Sequence, residues 1–145
     1  MKRIFLFGVV SITIFVSCKH SPDYKSIRDE VVAIHDEVML DAEVAYKNKR
    51  KLDTLAGNLD SLVKVYSGMD VLKEKDTVAQ LQHKLSQADD LMNDWMHQFE
   101  ADKGDKTDEQ AASYFANEKL KIASIDSTYT NLIKLSDAFL LKFKK

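Results

Sequence analysis

Apolar residues recur at alternating intervals of three and four along most of this chain, and this spacing constrains the fold most strongly. Asp41 and Asn48 interrupt the first such set, which runs through six heptads. Its members are Ile27, Val31, Ile34, Val38, Ala45, Leu52, Leu55, Leu59, Leu62 and Tyr66. A seven-residue apolar repeat predicts a helix with one narrow apolar seam. The seam passes Gly57 without a change of phase, so we expect one helix over about residues 22–66, roughly 65 Å long.

Two further segments carry the same spacing and predict helices over about residues 70–102 and 107–144. Glu118 and Ser136 are the polar breaks in the third seam. The second seam holds Val78, Leu81, Leu85, Ala88, Met92, Trp95 and Phe99, and the third holds Ala111, Phe115, Ile122, Ile125, Tyr129, Leu132, Phe139 and Phe143. Helices joined by short loops must fold back on one another, which predicts an all-α, antiparallel three-helix bundle with coiled-coil-like seams over residues 22–145.

Helix starts are marked by capping residues. Ser21 before Pro22 suits the start of the first helix, because proline fits the first helical position. Thr107 with Gln110 forms a T-x-x-Q capping box for the third helix. The second helix has two candidate starts, which are Asp70, or Thr77 with Gln80 completing a box. Ser67-Gly68 and Gly104 suit the chain reversals between helices.

The first eighteen residues predict export and lipidation. Lys2 and Arg3 precede an apolar stretch over residues 4–16, and small Ser17 stands before Cys18, the only cysteine in the chain. A basic region, an apolar core and a small residue at the cleavage site form a secretory leader. A cysteine just after that site is typical of a bacterial lipoprotein. We therefore expect a signal peptide over 1–17, lipid on Cys18, and a short tether over 18–21.

Charge and cysteine content exclude several functions. The leader holds two basic residues and no acidic one, so the remainder carries 19 basic and 23 acidic side chains, a net charge of about −4. A general nucleic-acid binder needs a basic face, so no nucleic-acid partner is expected. With its only cysteine assigned to lipid, the folded part has neither a disulfide nor thiolate chemistry.

The candidate metal ligands do not form a complete set. Asp94-x-x-His97 has the spacing of half a di-iron site, but such a site needs a second pair and two further carboxylates. His35 and His83, like His97, lie beside the seams rather than on them. Phosphate loops, catalytic triads and zinc motifs are missing from the sequence, so we expect no metal, no cofactor and no enzymatic activity.

Polar residues on the first seam are the candidate partner contacts. Asp41 and Asn48 occupy core positions, where a polar side chain can fix register or partner choice. The first helix is the longest, so one of its ends should outrun its neighbours and leave seam positions uncovered. The alternative explanations are that the third helix stops short there, or that Ala45 marks a thin, wet layer. Glu118 is interpreted in the same way.

Two basic runs and one aromatic cluster remain. The runs could face an anionic surface or could be ordinary solvated faces. Trp95, Met92, Met96 and Phe99 could line a ligand pocket or be plain core. The first basic run consists of Lys47, Lys49, Arg50 and Lys51, and the second of Lys142, Lys144 and Lys145.

Two blocks of sequence, residues 34–39 (IHDEVM) and 88–99 (ADDLMNDWMHQF), resemble segments of small lipoproteins of Bacteroidota labelled viral A-type inclusion protein-like. The likeness includes the leader and spans most of the chain. Leu40 stands where the family has a proline. The resemblance implies location in a Gram-negative cell envelope. It implies no particular activity and leaves the function open.

These features together predict a cell-envelope lipoprotein, anchored to the outer membrane through lipid on Cys18. Its helical domain is expected to act as a spacer or protein-interaction module that contacts another envelope protein or a second copy of itself. The alternative is a binder of a small apolar or lipid ligand between the helices.

Overall fold

The computed structural model describes residues 23–66 and 68–144, in which the chain forms three helices. They are α1, Tyr24–Leu62, α2, Val71–Gln98, and α3, Asp108–Leu141. The predicted all-α fold is confirmed, since the three helices pack against one another and the described residues contain no strand. α1 continues through Gly57, as its seam predicts. The predicted signal peptide, the tether, the lipid on Cys18 and the cap at Ser21 lie outside the described residues.

The helix ends differ from the predicted ones by up to four residues. α1 begins after Asp23, whose side chain accepts the backbone N–H of Lys25 at 3.1 Å, so Asp23 itself is the cap. α1 ends at Leu62 because the chain turns over residues 63–66. α2 ends at Gln98 because the next residue adopts an extended backbone.

The capping residues mark the starts of α2 and α3. Asp70 caps α2 by accepting the backbone N–H of Lys73 at 3.2 Å. The alternative start at Thr77 is wrong, because Thr77 lies inside α2 and its hydroxyl donates to the Lys73 carbonyl. The box of Thr107 and Gln110 is confirmed, with both reciprocal hydrogen bonds present at the start of α3.

Side-chain pairs define the directions of the helices. α1 and α3 run parallel, since Lys119 pairs with Glu30, Thr130 with Asp41 and Asn48 with Asp137, each across 89 residues of sequence. α2 runs antiparallel to α1, because its bonds join Lys75 to Asp60 and Gln82 to Asp53. The predicted up-down-up order follows. The constant spacing also fixes the register of α1 against α3 over this stretch.

The seams supply the core. The innermost residues of α1 recur every seven positions and are at most 1% exposed, namely Val31, Val38, Ala45, Leu52 and Leu59. They meet Leu85 and Met92 of α2 and Ile122 and Tyr129 of α3 in one cluster. α1 and α3 approach each other most closely along their lengths. Small residues such as Ala45 and Ser136 at this contact allow the close approach.

α1 outruns α3 at its C-terminal end. With the spacing of 89 residues, the last residue of α3, Leu141, lies level with Leu52 of α1. The remaining ten residues of α1, 53–62, keep α2 beside them, as the pair of Asp60 and Lys75 shows. The expected overhang of α1 therefore lies here, more than a helical turn beyond Asn48.

Candidate functional site

Asn48 is the most completely buried polar side chain of α1, with no exposed surface. Its amide donates to the Ser136 hydroxyl at 3.0 Å and to the Asp137 carboxylate at 2.8 Å. Its own carbonyl oxygen accepts from the Lys51 ammonium at 3.0 Å. The expectation that the seam is uncovered at Asn48 is wrong, because α3 covers this position and supplies a polar break of its own. In this structure Asn48 has no surface to offer a partner.

Asp41, the second candidate partner contact, is half-buried. One of its oxygens accepts a long hydrogen bond, 3.4 Å, from the hydroxyl of Thr130 on α3. α3 therefore covers one side of Asp41 as well. The thin, polar layer that the sequence left as the alternative describes this part of the bundle better, because Ala45 lies between the two polar positions.

Glu118, the polar break in the third seam, is 5% exposed and bonds to α2. It accepts the indole N–H of Trp95 at 2.9 Å and pairs with Lys121 at 2.8 Å. The hydrogen bond to Glu118 raises the pKa of the Lys121 ammonium above its ordinary value. The carboxylate is thus held by one neutral and one charged donor, which gives this buried acid a structural role.

Aromatic rings fill the space around Trp95. Phe99 stacks on its indole at 4.7 Å between ring centroids, and the ring of His35 lies 6.0 Å away. Phe115 packs edge-on against Phe99 at 6.3 Å. Beside Trp95 the bundle has an open surface groove of about 390 Å³. Trp95 itself is only 6% exposed, so it belongs to the core, as the register of α2 predicts.

The Asp94-x-x-His97 pair, which has the spacing of half a di-iron site, has no second half among the described residues. Asp94 and His97 are both exposed on α2, and His83 is exposed as well. His35 is half-buried and bonds to Asp36 at 3.0 Å. Residues 23–66 and 68–144 contain no group of three or more His, Cys, Asp or Glu side chains that could hold a metal ion.

Two grooves of equal volume, about 530 Å³, open on different faces of the bundle. The α2–α3 groove is lined by Lys84, Gln87, Ala88, Asp90, Leu91, Asp94, Thr128 and Leu132. The α1–α3 groove is lined by Lys51, Thr54, Leu55, Asn58, Ser61, Leu62, Val65, Leu140, Phe143 and Lys144. The second groove lies where α1 runs past the end of α3, so it occupies the path along which α3 would continue.

The α1–α3 groove brings together one member of each basic run. Lys51 belongs to the run on α1 and Lys144 to the run that follows α3. Other members are paired elsewhere, since Lys47 bonds to Glu43 at 2.6 Å and Lys142 lies 3.9 Å from Glu74. Sequence reasoning found both runs but not their meeting, because that depends on the register between α1 and α3.

The exposed surface of α1 carries a set of apolar residues that do not belong to its seam. We call this set the α1 outer patch, and its members are Val32, Met39, Leu40, Val44 and Tyr46, each 39–67% exposed. Val32, Met39 and Tyr46 are spaced by seven residues, so they lie in one row along the helix. The spacing of these three residues can be read from the sequence, but each of them stands directly beside a residue of the more regular seam repeat.

No helix within the described residues is both long and apolar enough to span a membrane. No protein-family model, curated protein or solved structure matches the chain. The resemblance to lipoproteins of Bacteroidota stays a prediction from the two sequence blocks.

Proposed function

We propose that the protein is a lipid-anchored protein of the cell envelope, whose helical bundle acts as a spacer and protein-interaction module without catalysis. The leader and Cys18 support the anchor at the outer membrane. α1 is a continuous helix of 39 residues, about 58 Å long, in fixed register with α3. Such a rod can hold a contact surface away from the membrane.

The observation that carries the contact function is the α1 outer patch. A helix that needs only one apolar seam for its core exposes five large apolar side chains within residues 32–46. Clustered exposed apolar residues mark interaction sites more often than isolated ones do. We therefore move the partner contact from Asp41 and Asn48 to these exposed apolar side chains of the same helix. The partner is a second envelope protein or another copy of this chain.

A photo-crosslinking amino acid at Met39 or Leu40, introduced into the full chain in intact cells, tests the contact. Leu91 is the matched control, since it is similarly exposed at 52% but lines the α2–α3 groove. Adducts at Met39 and Leu40 but not at Leu91 are expected, and their masses separate self-association from a second protein. Equal yields at all three positions, or no adduct at the α1 positions, would contradict the proposal.

The anchor is tested separately. Cys18→Ala should leave the chain at precursor size, because the lipoprotein peptidase needs the lipid-modified thiol. Intact-mass analysis of the parent should show lipid on an N-terminal Cys18. An unmodified Cys18, or cleavage at another residue, rules out the anchor without affecting the crosslinking result.

A further inference from the structure

Among the described residues, the lining of the α1–α3 groove combines an apolar floor with positive charge and includes no acidic side chain. Leu55, Leu62 and Val65 line it from the α1 side, and Leu140 and Phe143 from the α3 side. Its remaining lining consists of hydroxyl and amide groups and two lysines, with no carboxylate side chain. A volume of about 530 Å³ is within the range of small-molecule sites.

The two lysines lie toward one end of this groove. Leu141, the last residue of α3, is level with Leu52 of α1, next to Lys51, and Lys144 follows Leu141 by three residues. Leu62 and Val65 lie further along, past the end of α3, and Val65 is 51% exposed. The groove is thus cationic at one end and apolar at the other.

Both lysines have binding capacity left. The Lys51 ammonium donates one hydrogen bond, to the Asn48 carbonyl oxygen, which holds it at the groove. An ammonium has three donors, so two remain. Neither Lys51 nor Lys144 has a carboxylate within 4.0 Å among the described residues. By contrast, Lys142 of the run at the end of α3 has Glu74 as an acidic neighbour, and Lys47 of the run on α1 has Glu43.

We propose that the α1–α3 groove binds an anionic single-chain amphiphile of the fatty-acid class. The carboxylate lies between the ammonium groups of Lys51 and Lys144, and the acyl chain runs over Leu55 toward Leu62 and Val65. Charge complementarity selects the acid over a neutral lipid, and the apolar floor selects a long chain over a short one. This site is distinct from the α1 outer patch, so it goes beyond the proposed interaction function.

The bundle supplies its own control for this proposal. The α2–α3 groove has the same volume and also contains apolar residues, but Asp90 and Asp94 line it beside a single lysine, Lys84. Its carboxylates repel an anionic headgroup. A fatty acid that merely partitions onto apolar surface would label both grooves, whereas a fatty acid held by charge should label only the α1–α3 groove.

The test uses the purified full chain in neutral detergent and a photoactivatable myristate, with adduct sites mapped by mass spectrometry. Adducts should concentrate on peptides that carry Leu62, Val65 or Phe143. Lys51→Gln with Lys144→Gln should lower their yield about threefold to tenfold, because each exposed ion pair contributes modestly. Lys144→Gln alone, at an exposed position beyond the end of α3, should give part of that loss. The matched control Lys84→Gln should change nothing.

A neutral photoactivatable myristyl alcohol completes the experiment. Its labelling of the α1–α3 groove should be weaker than that of the acid and insensitive to the two lysine substitutions. Equal labelling of the two grooves by the acid would overturn the proposal, as would acid labelling that survives the double substitution in a variant with the parent's melting temperature.

Discussion

Asn48 of α1 and Ser136 of α3 are joined by a hydrogen bond of 3.0 Å, and both side chains have no exposed surface. Each is a polar break in an otherwise apolar seam. Because the two breaks meet, the buried amide and hydroxyl satisfy one another, and a shift of α3 by one residue would separate them. This pair, together with Thr130 and Asp41, favours a single register between two parallel helices.

Ser136→Ala should lower the free energy of unfolding by about 1–3 kcal/mol, because it leaves one buried N–H of Asn48 without an acceptor. The double variant Asn48→Leu with Ser136→Ala should recover much of this loss, because it leaves no buried polar group unsatisfied. Asp137 and Lys51 also lose their bonds to Asn48, but both residues are exposed to water. Urea denaturation of both single variants and the double variant gives the coupling between the two residues. Additive losses would mean that the hydrogen bond contributes nothing.

Trp95→Ala should lower the free energy of unfolding by about 3–5 kcal/mol, since it removes a large core side chain. The indole is 6% exposed, stacks on Phe99 and bonds to Glu118. Trp95→Phe separates the two contributions, because it keeps a ring but leaves buried Glu118 short of one donor. Met96→Ala is the matched control at the next residue, 38% exposed, with an expected change within about 0.5 kcal/mol. A melting temperature of Trp95→Ala within a few degrees of the parent would contradict this assignment.

The sequence predicts the core of this bundle better than it predicts the surroundings of any single residue. Val31, Leu85 and Ile122 could all be placed inside, because a seven-residue period defines one buried face for each helix. The period says nothing about which residue of another helix faces a given position. Asn48 was therefore recognised as exceptional, but its partner Ser136 was known only as a second break, 88 residues further on.

For the same reason, the sequence does not predict features that depend on the offset between helices. The length of α1 predicts an overhang, but only the register with α3 puts it beyond Leu52 rather than around Asp41. The meeting of Lys51 and Lys144 follows from the same register. The observed helix ends lie within four residues of the predicted ones. The remaining differences depend on local hydrogen bonds in the loops, such as that from the Glu100 N–H to the Tyr114 hydroxyl.

The stability of the bundle should fall at alkaline pH through Tyr129. Burial, with a hydrogen bond to Asp89 at 2.8 Å, raises the pKa of the Tyr129 phenol well above its ordinary value near 10. Above about pH 10 the unfolded chain loses this proton while the folded chain keeps it, so the free energy of unfolding decreases as pH rises. The contribution is fully present below that pH.

Urea denaturation at a series of pH values from 9 to about 11 measures this slope. Tyr129→Phe should flatten it, although the loss of the bond to Asp89 should lower stability at neutral pH by about 1 kcal/mol. Tyr46→Phe removes a phenol that is 57% exposed and serves as the control. A slope unchanged by Tyr129→Phe would mean that other groups cause the alkaline loss.

Two T-x-x-Q sequences, at Thr107 and at Thr77, make opposite predictions for the same substitution. Thr107 caps α3 and accepts the Gln110 backbone N–H at 3.2 Å, while the Gln110 side chain accepts the Thr107 N–H at 2.9 Å. Thr107→Ala removes half of this box and should lower the free energy of unfolding by about 1 kcal/mol, within a range of 0.5–2.

Thr77 lies inside α2, where its hydroxyl donates to the carbonyl of Lys73 four residues earlier. A β-branched residue is a weaker helix former than alanine, so Thr77→Ala should be neutral or should raise stability by a few tenths of a kcal/mol. Thermal unfolding of the two variants beside the parent measures both effects. If Thr77→Ala is the more damaging of the two, then α2 starts at Thr77 rather than after Asp70, and residues 71–76 belong to the loop.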